Sequence, residues 1–193
     1  DYMEAVRFLA QRAGLNVPED QVDDGMARLR SRILEINRET ARFYHRILMG
    51  EEGKAGLSYL TGRGLSLRTI RHFGLGFSPA GRFQLCDHLR GMGYSDEEMI
   101  TANVAFHSRS GRAMDRFNNR VMYPIIDLRG NVIAFGGRIL TDEKPKYINT
   151  NDTPVYHKSN GLFAMNFAKN TDSGQLILAE GYMDVIALHQ AGF

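Results

Sequence analysis

The spacing of apolar residues changes once along this 193-residue chain, near residue 110, and that change limits the fold class. Ahead of it, apolar positions recur every three or four residues, the period of helices packed by one face. Beyond it stand two runs rich in β-branched and aromatic residues, RVMYPIID at 120–127 and NVIAFGGRIL at 131–140, parted by Leu128, Arg129 and Gly130. Two such runs with a short glycine-bearing connection specify an antiparallel hairpin. Helices gathered ahead of strands, rather than alternating with them, make the class α+β: a helical N-terminal part followed by a small antiparallel sheet region.

Within the helical part, Leu29, Ile33, Ile36, Thr40, Phe43, Ile47 and Leu48 trace one face of a long helix over 26–49. Shorter helices are expected at 54–61, 67–73, 84–92 and 96–102, punctuated by glycines. Ser66 and Ser95 stand at N-cap positions, and Glu98, three residues after Ser95, completes a capping box. Met3, Val6, Leu9, Ala10 and Ala13 mark a first helix over 1–14, and the polar stretch 15–25 reads as a linker. After the hairpin, TDEKPKYINTNDTPVYHKSNG at 141–161 is polar, twice broken by proline and long enough to be a binding loop. LFAMNFAKN reads as a short helix. LILAEGYMDVIALHQAGF, from Leu176 to Phe193, reads as a buried strand, a sharp turn at Gly181 and a helix.

Several classes of function are excluded. One cysteine, Cys86, permits no internal disulfide and no cysteine-rich zinc site in this stretch, and its helical setting suits a small buried hydrophobe. No apolar run approaches the ~18 residues of a membrane span and the N-terminus lacks a signal-peptide layout, so a cytoplasmic protein with no membrane partner is expected. No P-loop signature and no HExxH motif occurs. Net charge is only +2, but 107–169 holds ten Lys and Arg against five Asp and Glu. That imbalance suits either a polyanion-binding face or a solvated basic surface.

Two groups of residues carry chemistry. Glu180 stands where the final strand hands over to a helix, the end at which open α/β sheets gather catalytic groups, and Asp184 follows four residues later on the same helix face. Acids in a first helical turn also simply suit the helix dipole. Arg116, Arg120, Arg138, Lys146 and Lys158 concentrate cations along the hairpin and loop. Strand alternation puts Val121, Tyr123 and Ile125 on one face and Arg120, Met122 and Pro124 on the other. Arg120 and Arg138 then frame a groove, with Phe117, Tyr147 and Tyr156 as stacking surfaces for bases; the plainer reading is an exposed hairpin with arginines in water.

The segments YLTGRGLS, GLGFSP, DRFNNRVMYPIIDLRGNVIAFGGRIL, PKYINTNDTPVYHKSNGLF and EGYMDVIALHQAGF, in this order, resemble the bacterial replicative primases of the DnaG type. The resemblance implies a polymerase core pairing a basic N-terminal subdomain, 26–170, with the first β-α unit of a toprim α/β domain, 171–193, cut short here. Residues 1–14 would be the tail helix of an upstream zinc-binding domain, holding Zn²⁺, and 15–25 the linker after it. The implied chemistry is two-metal nucleotidyl transfer making RNA primers on single-stranded DNA. Glu180 and Asp184 would bind Mg²⁺ or Mn²⁺, with Glu180 and Lys158 catalytic. Arg63, Arg116, Arg120, Arg138 and Lys146 would line the template groove, and Lys146, Asn149 and Lys158 would meet ribonucleoside triphosphates. The family pattern requires further acids, including an Asp-x-Asp pair, beyond residue 193. It also implies contact with the replicative helicase through a C-terminal domain, and a monomer. The alternatives are a toprim enzyme of another class, such as a topoisomerase, a nuclease or a phage primase-helicase, and a non-enzymatic single-stranded DNA-binding module.

Overall fold

The computed structural model describes residues 8–10, 12–13, 21–109 and 111–193. Most of the expected first helix and linker lies outside the described residues; residues 8–10 are helical. The long helix, α1, runs Gln21–Met49 and so begins five residues ahead of the expected start. Residues 21–25 of the stretch read as linker are its first turn, where carboxylates suit the dipole and Asp24 pairs with Arg28 one turn on, and the rest of that stretch lies outside the described residues. A 3-10 turn at Glu51–Gly53 leads to α2, Lys54–Gly62, and α3, Leu67–His72. The Ser66 hydroxyl caps α3 by accepting from the Thr69 amide at 3.1 Å.

A four-stranded antiparallel sheet takes its members from distant parts of the chain. They are β1 (Gly76–Ser78), β4 (Arg120–Ile126), β5 (Val132–Ile139) and β6 (Tyr147–Asn149), in that order. Between β1 and β4 come α4 (Gln84–Gly91), α5 (Asp96–Thr101) and a separate hairpin of β2 (Ala105–His107) and β3 (Ala113–Asp115). The expected hairpin is β4 and β5, with Arg120 opposite Ile139 and a register irregularity at Ile125/Ile126. Its turn closes on Asp127, whose carboxylate accepts from the amides of Arg129 (2.9 Å) and Asn131 (2.8 Å). Gly130 there has φ 90°, a left-handed conformation that a side chain would strain.

Alternation along β4 is as the sequence implies, but neither face meets water. Val121 and Tyr123 pack with Leu48, Leu60, Ile70 and Phe73 on one side. Met122 packs with Phe135, Ile33, Ile36 and Phe43 on the other. α1 crosses β1 so closely that a Cβ at Gly76 would lie 2.6 Å from Tyr44 Cβ and 2.9 Å from its carbonyl carbon. Cys86 is buried in α4, as expected.

Helix ends tie the smaller elements together. Asp115, on β3, is 5% exposed and accepts from the amides of Leu85 and Cys86, both at 2.9 Å, thereby capping α4 from across the chain. Ser95 and Glu98 form the expected capping box on α5, and Arg32 of α1 donates to Glu98 at 2.8 Å. Arg32 first, and the Ser95 amide after it, hold the Glu98 carboxyl down at about 2. A carboxylate depressed in the folded state stabilises fully above its unfolded value of about 4.3 and loses that contribution as pH falls through the folded one. The destabilisation caused by Glu98→Gln should therefore be constant near neutrality and shrink between about pH 4.3 and about 2, as read from urea midpoints over that range.

The segment 176–179, expected as a strand, belongs to neither sheet, and Leu176, Ile177 and Leu178 are exposed. Its apolar, β-prone composition states a preference, but a strand exists only where a neighbour supplies ladder hydrogen bonds, and no described strand lies alongside. The helix after it, α7, Tyr182–Ala191, is docked through buried Met183 and Ile186. The short helix before it, α6, spans Met165–Ala168.

Candidate functional site

α7 lies against the sheet and is held at both ends. At its start the Tyr182 ring stacks on Tyr123 of β4, with centroids 5.0 Å apart and planes within 13°, and forms a near-perpendicular pair with Phe163, centroids 4.9 Å apart. The Tyr182 hydroxyl donates to Asn149 Oδ1 at 3.1 Å. Burial pushes that phenol up to about 12, so it stays a donor at any ordinary pH. Only a glycine beneath the ring permits the approach, since a Cβ at Gly136 of β5 would lie 2.5 Å from a ring carbon. At the other end, Gln190 Oε1 accepts from the Ser66 amide (2.8 Å) and the Thr69 hydroxyl (2.7 Å), while Nε2 donates to the Gly64 carbonyl (2.8 Å).

This docking presents the two acids. Glu180 and Asp184 flank Tyr182 by two residues on each side, and both are exposed. Gly181 gives Asp184 room to fold back: a Cβ there would be 2.9 Å from Oδ2. A divalent cation of the Mg²⁺ type needs about six oxygens in a near-octahedral shell. Among the described residues no group of three or more His, Cys, Asp or Glu is arranged to hold a metal. The two acids do not share a helix face as expected, because Gly181 is the extended N-cap of α7 and leaves Glu180 ahead of the helix, with Asp184 in its first turn; two such carboxylates do not make a metal site by themselves.

The cations fall into distinct environments. Arg138, on β5, lays its guanidinium over Tyr59 at 4.4 Å and near Tyr147 at 6.0 Å, and Tyr147 is 42% exposed. Arg116 is half-buried and donates to the Asn149 carbonyl at 3.2 Å; burial lowers its pKa. Asn149 therefore joins Arg116 through its backbone to Tyr182 through its side chain. Arg63, at the C-cap of α2, and Lys146, just before β6, are exposed. Lys158 is also exposed, on the loop after β6, with its ammonium on Asn151 Oδ1 at 3.2 Å.

Three expectations give way here. Arg120 does not face an open groove: it is 5% exposed and donates to the carbonyls of Gly137 (3.3 Å), Lys146 (3.3 Å) and Pro145 (3.1 Å). A guanidinium has no apolar way to be buried, so it satisfies its donors on backbone and braces the β5–β6 connection. Phe117 is fully buried against Phe135, and Tyr156 is 9% exposed beside Ile125 and Ala134. Neither offers a stacking face, and of the three aromatics proposed only Tyr147 does. Sequence reasoning overlooked Tyr59, Gly136, Tyr182 and Gln190. The paired glycines of FGGR carried a signal for a close approach, whereas nothing local to Gln190 marks its three partners.

The family model for the DNA primase catalytic core, N-terminal domain, matches residues 43–169. The DNA primase of Pseudomonas aeruginosa is 42% identical over 200 residues, covering the whole chain and 30% of that protein; the chain thus spans under a third of this relative's length. Among solved structures, the RNA polymerase domain of Mycobacterium tuberculosis primase DnaG with double-stranded DNA is similar at TM-score 0.81 and 39% identity, over 84% of this chain and 53% of that one. A DnaG primase catalytic domain bound to single-stranded DNA is similar at TM-score 0.80 and 36% identity, over 86% of this chain and 54% of that one.

Proposed function

Because the chain belongs to the DnaG-type bacterial DNA primases, we propose that it forms the template-side part of an RNA polymerase core that makes primers on single-stranded DNA. The observation that carries this reading is the docking of α7. Tyr182, which stands between the acids in the sequence, bonds to Asn149, whose carbonyl accepts from Arg116, and lies near Tyr147, itself beside Arg138; this supports reading the acids as neighbours of that basic edge. A polyanion seated on those cations passes the carboxylates.

In this reading Arg63, Arg116, Arg138 and Lys146 hold template phosphates, Tyr147 offers a face to a base, and Arg120 acts only through the loop it braces. A primer 3′-hydroxyl attacks the α-phosphate of an incoming ribonucleoside triphosphate, and pyrophosphate leaves. Lys146, Asn149 and Lys158 bind the triphosphate and offset its charge, and Glu180 accepts the hydroxyl proton. Glu180 and Asp184 are the carboxylates this chain contributes to the Mg²⁺- or Mn²⁺-dependent centre of the complete primase. Zinc binding and helicase contact belong to further domains of that primase, which we take to be a cytoplasmic monomer.

Binding to single-stranded DNA at graded salt tests the template edge. Taking away one cation that neutralises a phosphate lowers the slope of log K against log salt by about 0.7 for a single strand, so Arg138→Ala and Lys146→Ala should each flatten it by about that amount. An unchanged slope in both variants removes these residues from the interface. Arg120→Ala should instead lower the thermal midpoint, because it removes a buried side chain and its hydrogen bonds to three carbonyls of β5 and the β5–β6 connection.

A further inference from the structure

We infer that Asp152 is a positioning residue that fixes Lys158 for the triphosphate; the inference rests on the reading of Lys158 as a phosphate contact. The loop between β6 and α6 is polar, yet it is built like a clasp. Its start is pinned to β5: the Thr150 hydroxyl accepts from the Phe135 amide at 2.9 Å, and the Thr150 amide donates to the Phe135 carbonyl at 2.9 Å. The Asn151 amide donates to Asn103 Oδ1 at 2.7 Å, and Asn103 adopts a left-handed φ of 58°. Thr153 and Tyr156 then pair with each other, amide to carbonyl, at 2.8 and 3.2 Å, with Pro154 at the second position of the turn. Tyr156, at the end of that turn, is seated in the core.

What leaves this turn is held by Asp152. Its Oδ1 accepts from the Lys158 amide at 3.0 Å, and its Oδ2 lies 3.5 Å from His157 Nδ1. The Lys158 amide is the main cause that holds the Asp152 carboxyl below its usual value, as expected of a carboxylate whose charged form is bonded. The neighbouring residue supplies the second hold, Asn151 Oδ1 on the Lys158 ammonium at 3.2 Å. Lys158 is thus fixed at its backbone by Asp152 and at its tip by Asn151, although the side chain is exposed. A lysine stem left free has four rotatable bonds to freeze when it meets a phosphate, and ordering it in advance removes that cost from binding. A solvated turn would need none of these links to reach so exposed a lysine.

The test uses the complete primase with Asp152→Ala, Asp152→Asn, Lys158→Ala and the Asp152→Ala/Lys158→Ala pair. Loss of a charge-assisted bond should raise KM for nucleotide about tenfold in Asp152→Ala, with kcat and template affinity within about twofold of wild type. Asp152→Asn retains an Oδ1 acceptor and should restore KM. On the Lys158→Ala background, Asp152→Ala should add nothing. Hydrogen exchange of the Lys158 amide should quicken in Asp152→Ala and return towards wild type in Asp152→Asn. An additive double variant, an unchanged Lys158 amide, or an unchanged KM in Asp152→Ala beside a raised one in Lys158→Ala each overturns the role of Asp152 while sparing that of Lys158. A wild-type KM in Lys158→Ala overturns the phosphate reading itself.

Discussion

Gly76→Ala destabilises the protein by about 3 kcal/mol, the upper end of what overpacking costs, because the added methyl meets atoms that cannot step aside. The atoms in its way are Tyr44 Cβ at 2.6 Å, the Tyr44 carbonyl carbon at 2.9 Å and the His45 amide nitrogen at 3.2 Å. All belong to the rigid part of α1, so relief requires the whole helix to lift from β1. That helix also covers the face of the sheet lined by Met122 and Phe135, and the loss should therefore appear as a lower denaturant midpoint for the whole fold rather than as local fraying. Gly25→Ala is the matched control. Gly25 lies inside α1 with nothing within 4 Å of a Cβ, and the same methyl there should stabilise by about 0.8 kcal/mol through helix propensity. Equal effects at the two sites would mean that α1 does not sit on β1 as described.

The second large effect is on chemistry. Glu180→Gln in the complete primase should lower primer synthesis by at least about a hundredfold, the lower bound typical of losing a general base. Template affinity and thermal stability should hold, because Glu180 is exposed and α7 is docked by Tyr182, Met183, Ile186 and Gln190. Tyr182→Ala should separate the two roles differently, weakening synthesis together with the thermal midpoint, since it empties the space over Gly136 and strips Asn149 of its donor. Primer synthesis by Glu180→Gln within a few-fold of wild type removes that residue from the reaction.

The hairpin was legible because β4 and β5 are seven and eight residues long, enough for composition to speak. β1, β2, β3 and β6 have three residues each, too few for any period to declare itself. Alternation sorted Arg120 from Val121 correctly, but it could not say whether a second layer covered the arginine. The connection between β5 and β6 supplies that cover, closing on the guanidinium through the Pro145 and Lys146 carbonyls. The acids were read as a pair on one helix face, but the extended backbone at Gly181 leaves Glu180 ahead of α7 and only Asp184 on it. Their presentation was not legible, because Tyr182 needs a glycine on β5 and Gln190 needs a turn between α2 and α3, and pairings across such distances leave no trace in local pattern. The run 176–179 shows the reverse case, a clear strand signal without the neighbour that would make it one.

α7 is also a gauge. Its ten residues, at about 1.5 Å each, measure about 15 Å between the end that carries the acids and the end clamped beside Arg63. Both ends are seated in fixed receptacles, the space over Gly136 and the carbonyl and donors at Gly64, Ser66 and Thr69. Adding or removing one residue shifts one end by about 1.5 Å and turns it through about 100°, so the two receptacles can no longer be filled together. The helix should therefore accept new side chains along its outer side while refusing any change in its length.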